Sequence, residues 1–113
     1  MTATGKTYGD ALYDLAAEEA ICDELLEQVK LLARLFRENP QYPALLTSPD
    51  IPREERLHLI GEALTGQVHP YLVNFLCLLC ERGRLPAFAG CAARYEQRWL
   101  EDRERQGTVF EST

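Results

Sequence analysis

Cations other than arginine are scarce in this chain of 113 residues. It has only two lysines, Lys6 and Lys30, and two histidines, and its formal net charge is −6. Affinity for nucleic acid comes largely from basic side chains that neutralise phosphates, and adsorption to anionic lipid requires basic clusters. The sequence therefore predicts no nucleic-acid partner and no direct attachment to a lipid surface.

Long apolar runs are also missing. The most apolar stretch, Tyr71–Cys80, is apolar at nine of its ten positions, whereas about 20 apolar residues are needed to cross a bilayer. The opening segment Met1–Lys6 lacks the apolar run of a signal peptide. The sequence therefore predicts no membrane insertion and a cytoplasmic location, where the four cysteines are free thiols.

Residue groupings that support catalysis are absent or weak. No glycine-rich loop could cradle a phosphate, and the two histidines belong to no Ser-His-Asp grouping. Cys77 and Cys80 form a C-x-x-C pair in the last turns of an apolar segment, where a helix dipole does not lower a thiol pKa. Zinc would require four ligands, and Cys22 and Cys91 show no paired spacing with that pair. We predict a protein without enzymatic activity, cofactor or metal.

Apolar residues recur at helical spacing between regularly placed breaks, and no segment alternates with the period of a β-strand. Asn39-Pro40, Gly66 and Gly83 provide the clearest breaks. The pattern predicts an all-α fold, a six-helix bundle with four longer and two short helices. Four large apolar residues are expected in its core: Leu32, Phe36, Tyr95 and Trp99.

Three local signals lead to further expectations. Gly9 costs about 1 kcal/mol relative to alanine within a helix, and close approach by another backbone could compensate for this cost. Asp50 is expected to cap a helix whose first turn contains Pro52. Gly83 is expected to end the apolar helix, with Leu85 placed for an apolar contact across the helix end.

The apolar helix around Tyr71–Cys80 has three faces at 100° per residue. A helix that is apolar all round cannot be satisfied by a single packing face. The broadest face, which is expected to lie against the core, carries Leu72, Phe75, Leu76 and Leu79. A second face, which suits a partner, carries Tyr71, Asn74 and Leu78. The third face, which remains unassigned, carries Val73, Cys77 and Cys80.

Motifs in a fixed order give the chain a resemblance to one family. The segment Tyr8–Ala16, with the sequence Y-G-D-A-L-Y-D-L-A, looks like the Y-A-x-A-L-(F/Y)-x-L-A opening of the delta subunit of bacterial F-type ATP synthases. That subunit is related to the mitochondrial oligomycin-sensitivity-conferring protein. The segment His69–Leu85 resembles the fifth helix of the family and its E-x-G-R-L ending. The intervening Glu38-Asn39-Pro40, Leu45-Leu46 and Ser48-Pro49 match the E-N-P…L-L…P rhythm of the family, and Gly107–Phe110 looks like its G-x-V passage into a second domain.

The resemblance implies a non-catalytic stator subunit of an F-type ATP synthase. In this family an N-terminal six-helix domain binds the N-terminal helix of an alpha subunit and links the catalytic head to the peripheral stalk. We expect residues 1–106 to form this domain and residues 107–113 to begin the connection to an absent C-terminal domain, which binds the b subunits. The expected location is peripheral to the inner face of the bacterial cell membrane.

The resemblance also implies where the alpha subunit would bind, namely between the first and fifth helices. A small residue, Ala11, would permit close approach, and the amide of Asn74 could fix the register of a bound peptide. Leu12 and Leu15 could equally be core residues. The predicted partner-binding residues are Tyr8, Ala11, Leu12, Leu15, Tyr71, Asn74 and Leu78.

Two other functions remain open from the sequence. The first is an adaptor unrelated to ATP synthase that binds another amphipathic helix in a similar groove. The second is a thiol redox or metal protein that uses Cys77 and Cys80, although both are more simply explained as small buried hydrophobic residues.

Overall fold

A computed structural model describes residues 3–111 of the chain, with side chains through residue 104. Within residues 3–111 the fold contains six α-helices and no β-strand, so the predicted all-α six-helix bundle is confirmed. The helices are α1 (Ala3–Glu18), α2 (Cys22–Glu38), α3 (Gln41–Leu46), α4 (Arg53–Leu64), α5 (Pro70–Glu81) and α6 (Phe88–Glu111). A 3-10 turn, Leu85–Ala87, connects α5 to α6.

The helix lengths differ in one respect from those expected. Five helices have 12 residues or more, and α3, with six residues, is the short one. The segment between Gly83 and α6 forms a 3-10 turn of three residues, a common short connector. Helix α6 continues to Glu111, so the domain boundary after residue 106 stays a prediction, and residues 112–113 lie outside the described residues.

The core lies where α1, α2, α5 and α6 meet. All four residues of the broad stripe on α5 are buried, as predicted, and Cys80 of the unassigned face is buried with them. Of the other predicted core residues, Leu32 and Tyr95 are buried, whereas Phe36 and Trp99 are half-buried and pack against the core cluster. The Trp99 indole lies near the surface because its Nε1 donates a hydrogen bond to Asp23 Oδ1 at 2.6 Å.

Helices α1 and α6 approach closely because two glycines of α1 face α6. A Cβ atom on Gly9 would lie 2.8 Å from the carbonyl oxygen of Cys91 and 2.7 Å from Cβ of Arg94. A Cβ atom on Gly5 would lie 3.1 Å from Cα of Gly90. The expected close approach of another backbone to Gly9 is therefore confirmed, and the partner helix is α6.

Ion pairs reinforce the same contact between α1 and α6. Asp10 accepts hydrogen bonds from Arg94 Nε at 2.6 Å and from Arg98 Nη1 at 3.1 Å, and Arg98 Nη2 also donates to Asp14 at 2.8 Å. Hydrogen bonding from Arg94 lowers the pKa of Asp10. The phenol of Tyr13 lies under the Arg98 guanidinium, with the guanidinium carbon 4.8 Å from the ring centroid. These contacts hold α1 in register along α6.

Two helices end in the same hydrogen-bonded arrangement. At the end of α5, Gly83 has φ +66, its N–H donates to Cys80 O, and the N–H of Arg84 donates to Leu79 O. This is a Schellman motif, and the adjacent Leu85 is buried, which confirms the predicted stop.

Helix α1 ends in a Schellman motif as well, but with alanine in the position that favours glycine. Ala20 has φ +58, its N–H donates to Ala17 O, and the N–H of Ile21 donates to Ala16 O. The helical periodicity of the sequence extends to Ala20, whereas the helix itself ends at Glu18.

The predicted start of α4 is wrong. Pro52 itself is the N-cap residue, with ψ 146, and α4 begins at Arg53 without a side-chain cap. Asp50 does not cap α4, and its backbone N–H bonds to Ser48 Oγ within the preceding turn. His69 is the N-cap residue of α5, and its Nδ1 accepts a hydrogen bond from the N–H of Tyr71.

Candidate interface between α1 and α5

Two side-chain contacts bring α1 and α5 together. The rings of Tyr8 and Phe75 meet edge to face with centroids 6.4 Å apart. Eleven residues later, directly after the end of α1, Glu19 Oε1 accepts a hydrogen bond of 2.7 Å from the hydroxyl of Tyr71. Residue numbers rise along α1 while they fall along α5, so the two helices run in roughly opposite directions between these contacts.

Six of the seven predicted partner-binding residues reach the protein surface. Ala11 and Asn74 are exposed, and Leu15 retains 37% of its accessible surface although it is apolar. The other three are half-buried. We call these six residues the α1/α5 surface: Tyr8, Ala11, Leu15, Tyr71, Asn74 and Leu78.

Leu12 belongs to the core and is not available to a partner. It is 2% exposed and lies in the main buried cluster with Tyr13 and Ala16. Of the two roles left open by the sequence, the structure supports the core role for Leu12. It places Leu15, three residues later, at the surface.

The α1/α5 surface rests on a continuous row of aromatic rings. Phe75, beneath Tyr8, packs against Phe88 at a centroid distance of 6.4 Å, and Phe88 packs edge to face against Phe36 at 5.5 Å. Each such pair contributes about 0.5–1.5 kcal/mol beyond the burial of its area. The surface is therefore supported by packed side chains that link α5 to α6 and α2.

The contact between Tyr71 and Glu19 was not foreseen from the sequence. Glu19 adjoins Glu18 in the sequence, and its carboxylate accepts the hydrogen bond from the hydroxyl of Tyr71. This hydrogen bond favours the protonated phenol and raises the pKa of Tyr71. The two residues are 52 positions apart, so no local sequence pattern indicates the pairing.

The two cysteines of α5 lack the properties of reactive thiols. Cys80 is buried and its Sγ donates to the carbonyl oxygen of Leu46 at 3.3 Å, while Cys77 is half-buried. Burial raises the pKa of both thiols above the ordinary value of 9.0, which disfavours the nucleophilic thiolate. The structure therefore gives the redox alternative no support. Among the side chains described, no three His, Cys, Asp or Glu residues converge on a possible metal site.

A large cavity lies elsewhere on the molecule and was missed by the sequence reasoning. It has a volume of about 960 Å³, is formed by α2, α3 and the start of α6, and is lined by none of the seven predicted residues. The sequence contained a signal for it, because Leu31 lies outside the apolar stripe of α2 formed by Leu25, Val29, Leu32 and Phe36. The structure leaves Leu31 51% exposed.

No helix between residues 3 and 111 has both the length and the apolar character required to cross a membrane.

Comparison with known proteins identifies the family. A model of the family described as ATP synthase delta (OSCP) subunit matches residues 4–112. The protein named ATP synthase subunit delta from Shouchella clausii is 30% identical over 111 residues, which cover 96% of this chain and 60% of that protein. The protein of the same name from Lachnoclostridium phytofermentans is 33% identical over 85 residues, or 75% of this chain and 47% of that protein.

A third relative, the ATP synthase subunit delta of a Geobacillus species, is 36% identical over 80 residues, or 71% of this chain and 44% of that protein. The chain thus spans about half the length of the curated relatives that it matches. With a family match over nearly its whole length, the chain belongs to the ATP synthase delta (OSCP) subunit family.

Proposed function

We propose that this chain is a non-catalytic stator module of an F-type ATP synthase and that its α1/α5 surface binds the N-terminal helix of an alpha subunit. The observation that carries the proposal is the exposure of Ala11, Leu15 and Asn74 on adjoining helices in a chain of this family. An amphipathic helix laid between two helices is a common recognition mode, and its apolar positions would cover the exposed leucine.

The chemistry of the α1/α5 surface suits a helix with one apolar face. Leu15 and Leu78 provide apolar contact area, and the small side chain of Ala11 lets a second helix approach α1 closely. Asn74 carries the only polar side chain among nine apolar neighbours in Tyr71–Cys80. Its amide can both donate and accept hydrogen bonds, so it can fix the register of the bound helix.

The side chains packed beneath the α1/α5 surface make it suitable as a mechanical joint. A stator must hold the catalytic head stationary against the torque of the rotor without taking part in the chemistry. The aromatic row from Tyr8 to Phe36 and the ion pairs of Asp10 connect both walls of the surface to α6. Load applied at the surface would therefore be carried by the packed core.

Two further partners follow from the proposed role. A stator subunit is attached to the synthase at the membrane through other subunits, and in this family the C-terminal domain provides the contact with the b subunits. That contact and the peripheral location at the membrane stay predictions for this chain.

The test is a titration of the purified chain with a synthetic peptide that corresponds to the N-terminal segment of the alpha subunit from the same organism. We expect amide NMR shifts concentrated at Ala11, Leu15 and Asn74. Asn74→Ala should weaken binding about tenfold, which corresponds to about 1.4 kcal/mol for a hydrogen bond to the peptide. Because Asn74 is exposed, this variant should unfold at the same urea concentration as the original chain.

The matched control is Leu100→Ala, since Leu100 is also exposed but lies on α6. This variant should bind the alpha-subunit peptide with unchanged affinity. If the peptide produces no shifts at Ala11 and Asn74 at about 1 mM, the proposal fails. The α1/α5 surface would then be assigned to a different amphipathic helix and not to the alpha subunit.

A further inference from the structure

A second groove, separate from the α1/α5 surface, runs along α2 and α6. We call it the α2/α6 groove. The cavity of about 960 Å³ forms one end, and an adjoining cavity of about 370 Å³ extends it along α6. Ala93 and Glu96 line both cavities, so the two form one continuous depression.

The α2/α6 groove exposes apolar side chains from both of its helices. Leu31 is 51% exposed and Leu100 is 48% exposed, one from each wall. Ala89 and Ala93 of α6 also line the groove one turn apart, and their small side chains leave room for another backbone. Exposed leucines beside small residues are typical of a surface that another helix covers.

The charges along the groove are separated by sign. Helices α2 and α6 are antiparallel, since Phe36 meets Phe88 at one end and Asp23 meets Trp99 at the other. Lys30, Arg34 and Arg37 line the end near Phe36, Glu27 and Glu96 line the middle, and Glu101 and Glu104 line the part that extends past Trp99.

This separation is notable because the chain is acidic overall, with a net charge of −6. The ion pair between Arg34 and Glu38, at 3.5 Å, leaves both side chains more than half exposed, so it does not remove the positive end.

We infer that the α2/α6 groove binds a second amphipathic helix from a partner protein, with acidic residues over Lys30, Arg34 and Arg37 and basic residues over Glu101 and Glu104. The distance from Ala89 to Glu104 along α6 is about 22 Å, which accommodates a partner helix of about 15 residues. The groove shares none of its lining residues with the α1/α5 surface, so the chain can hold two helices at once and the inference does not depend on the function proposed above.

The probe is a designed peptide of about 16 residues with a leucine and alanine stripe, glutamates flanking one half and lysines flanking the other. A control peptide keeps the same stripe and replaces every charged residue with glutamine. We expect amide shifts at Leu31 and Ala93. We also expect the charged peptide to bind about tenfold more tightly than the neutral one at low salt, with the difference lost at about 1 M salt.

Charge reversal tests the assignment of the positive end. The double variant Arg34→Glu with Arg37→Glu should lose the preference for the charged peptide, and both side chains are exposed, so the fold should be retained. Circular dichroism verifies the fold of this variant. Asn74→Ala, on the other surface, should leave binding of the designed peptide unchanged.

Three results would overturn the inference. The first is the absence of shifts at Ala93 with both peptides at about 1 mM. The second is equal affinity of the two peptides at low salt. The third is self-association of the chain through the α2/α6 groove, seen by sedimentation equilibrium and abolished by the double variant, because the occupant would then be a second copy.

Discussion

Replacing Gly9 by alanine should lower the stability of the chain, although alanine favours helices. The substitution gains about 1 kcal/mol of helix propensity within α1. Against this gain, the new methyl group would lie 2.8 Å from the carbonyl oxygen of Cys91 and 2.7 Å from Cβ of Arg94. Neither atom is the end of a flexible side chain, so α1 and α6 must move apart.

The net effect can be worked out from these two opposing contributions. Overpacking of a well-filled contact typically costs about 1–3 kcal/mol. Separation of the helices also stretches the hydrogen bond between Asp10 and Arg94, which is now 2.6 Å long. We therefore expect Gly9→Ala to lower the free energy of unfolding by about 1 kcal/mol.

Gly61→Ala is the matched control, because Gly61 lies within α4 and a Cβ atom there would meet no atom within 4 Å. Both substitutions restrict the unfolded chain to the same extent, so their difference reports only on the folded state. Gly61→Ala should raise the free energy of unfolding by about 1 kcal/mol. The two variants should therefore differ by about 2 kcal/mol, or about 8 °C in Tm.

Urea unfolding followed by circular dichroism at the helical band measures both variants under the same conditions. If Gly9→Ala is stabilised as much as Gly61→Ala, the close approach of α1 to α6 at this position is wrong. A raised stability of Gly61→Ala together with an unchanged Gly9→Ala would place the cost of the close contact at about 1 kcal/mol, the low end of the expected range.

Three other variants test separate parts of the fold. Ala20→Gly should raise the free energy of unfolding by about 0.5–1 kcal/mol, because alanine is strained at φ +58. Urea unfolding measures this change, and a destabilised variant would refute the prediction. Asp10→Asn should cost about 1 kcal/mol at pH 7, since it weakens the bond to Arg94. The pKa of Asp10 is lowered in the folded state, so its contribution is complete above the ordinary value of 3.8 and is lost as the pH falls below it. The difference between the original chain and Asp10→Asn should therefore shrink between about pH 5 and pH 3 in urea titrations, and a constant difference would contradict the ion pair. Cys77→Ala combined with Cys80→Val should change the free energy of unfolding by less than about 1.5 kcal/mol and leave peptide binding intact, whereas a loss of binding would revive a role for the thiols.

The ends of α5 could be predicted from the sequence because they depend on residues a few positions apart. His69 before Pro70 starts the helix, and Gly83 takes the positive φ that ends it. The core stripe of α5 was also predictable, since a helix this apolar must turn its broadest face inward. The start of α4 was mispredicted because Asp50 and Pro52 are both acceptable before a helix, and the backbone of Pro52 took the N-cap conformation.

The α1/α5 surface was only partly predictable. Leu12 and Leu15 are three residues apart and so share one side of α1, but helical spacing alone does not say which of them faces the core and which reaches the surface. The bond between Tyr71 and Glu19 joins positions 52 residues apart and depends on the crossing of two helices.

The sequence by itself determined the number and type of the main helices, the core side of α5 and the family of the chain, because these properties arise from local spacing and from the order of motifs. Only the tertiary structure decided that α1 lies against α6 through Gly9, that Leu12 is buried, and that charges of opposite sign occupy the two ends of the α2/α6 groove. The physical reason is that these features depend on distances between helices, and such distances are set by the packing of side chains from distant parts of the chain.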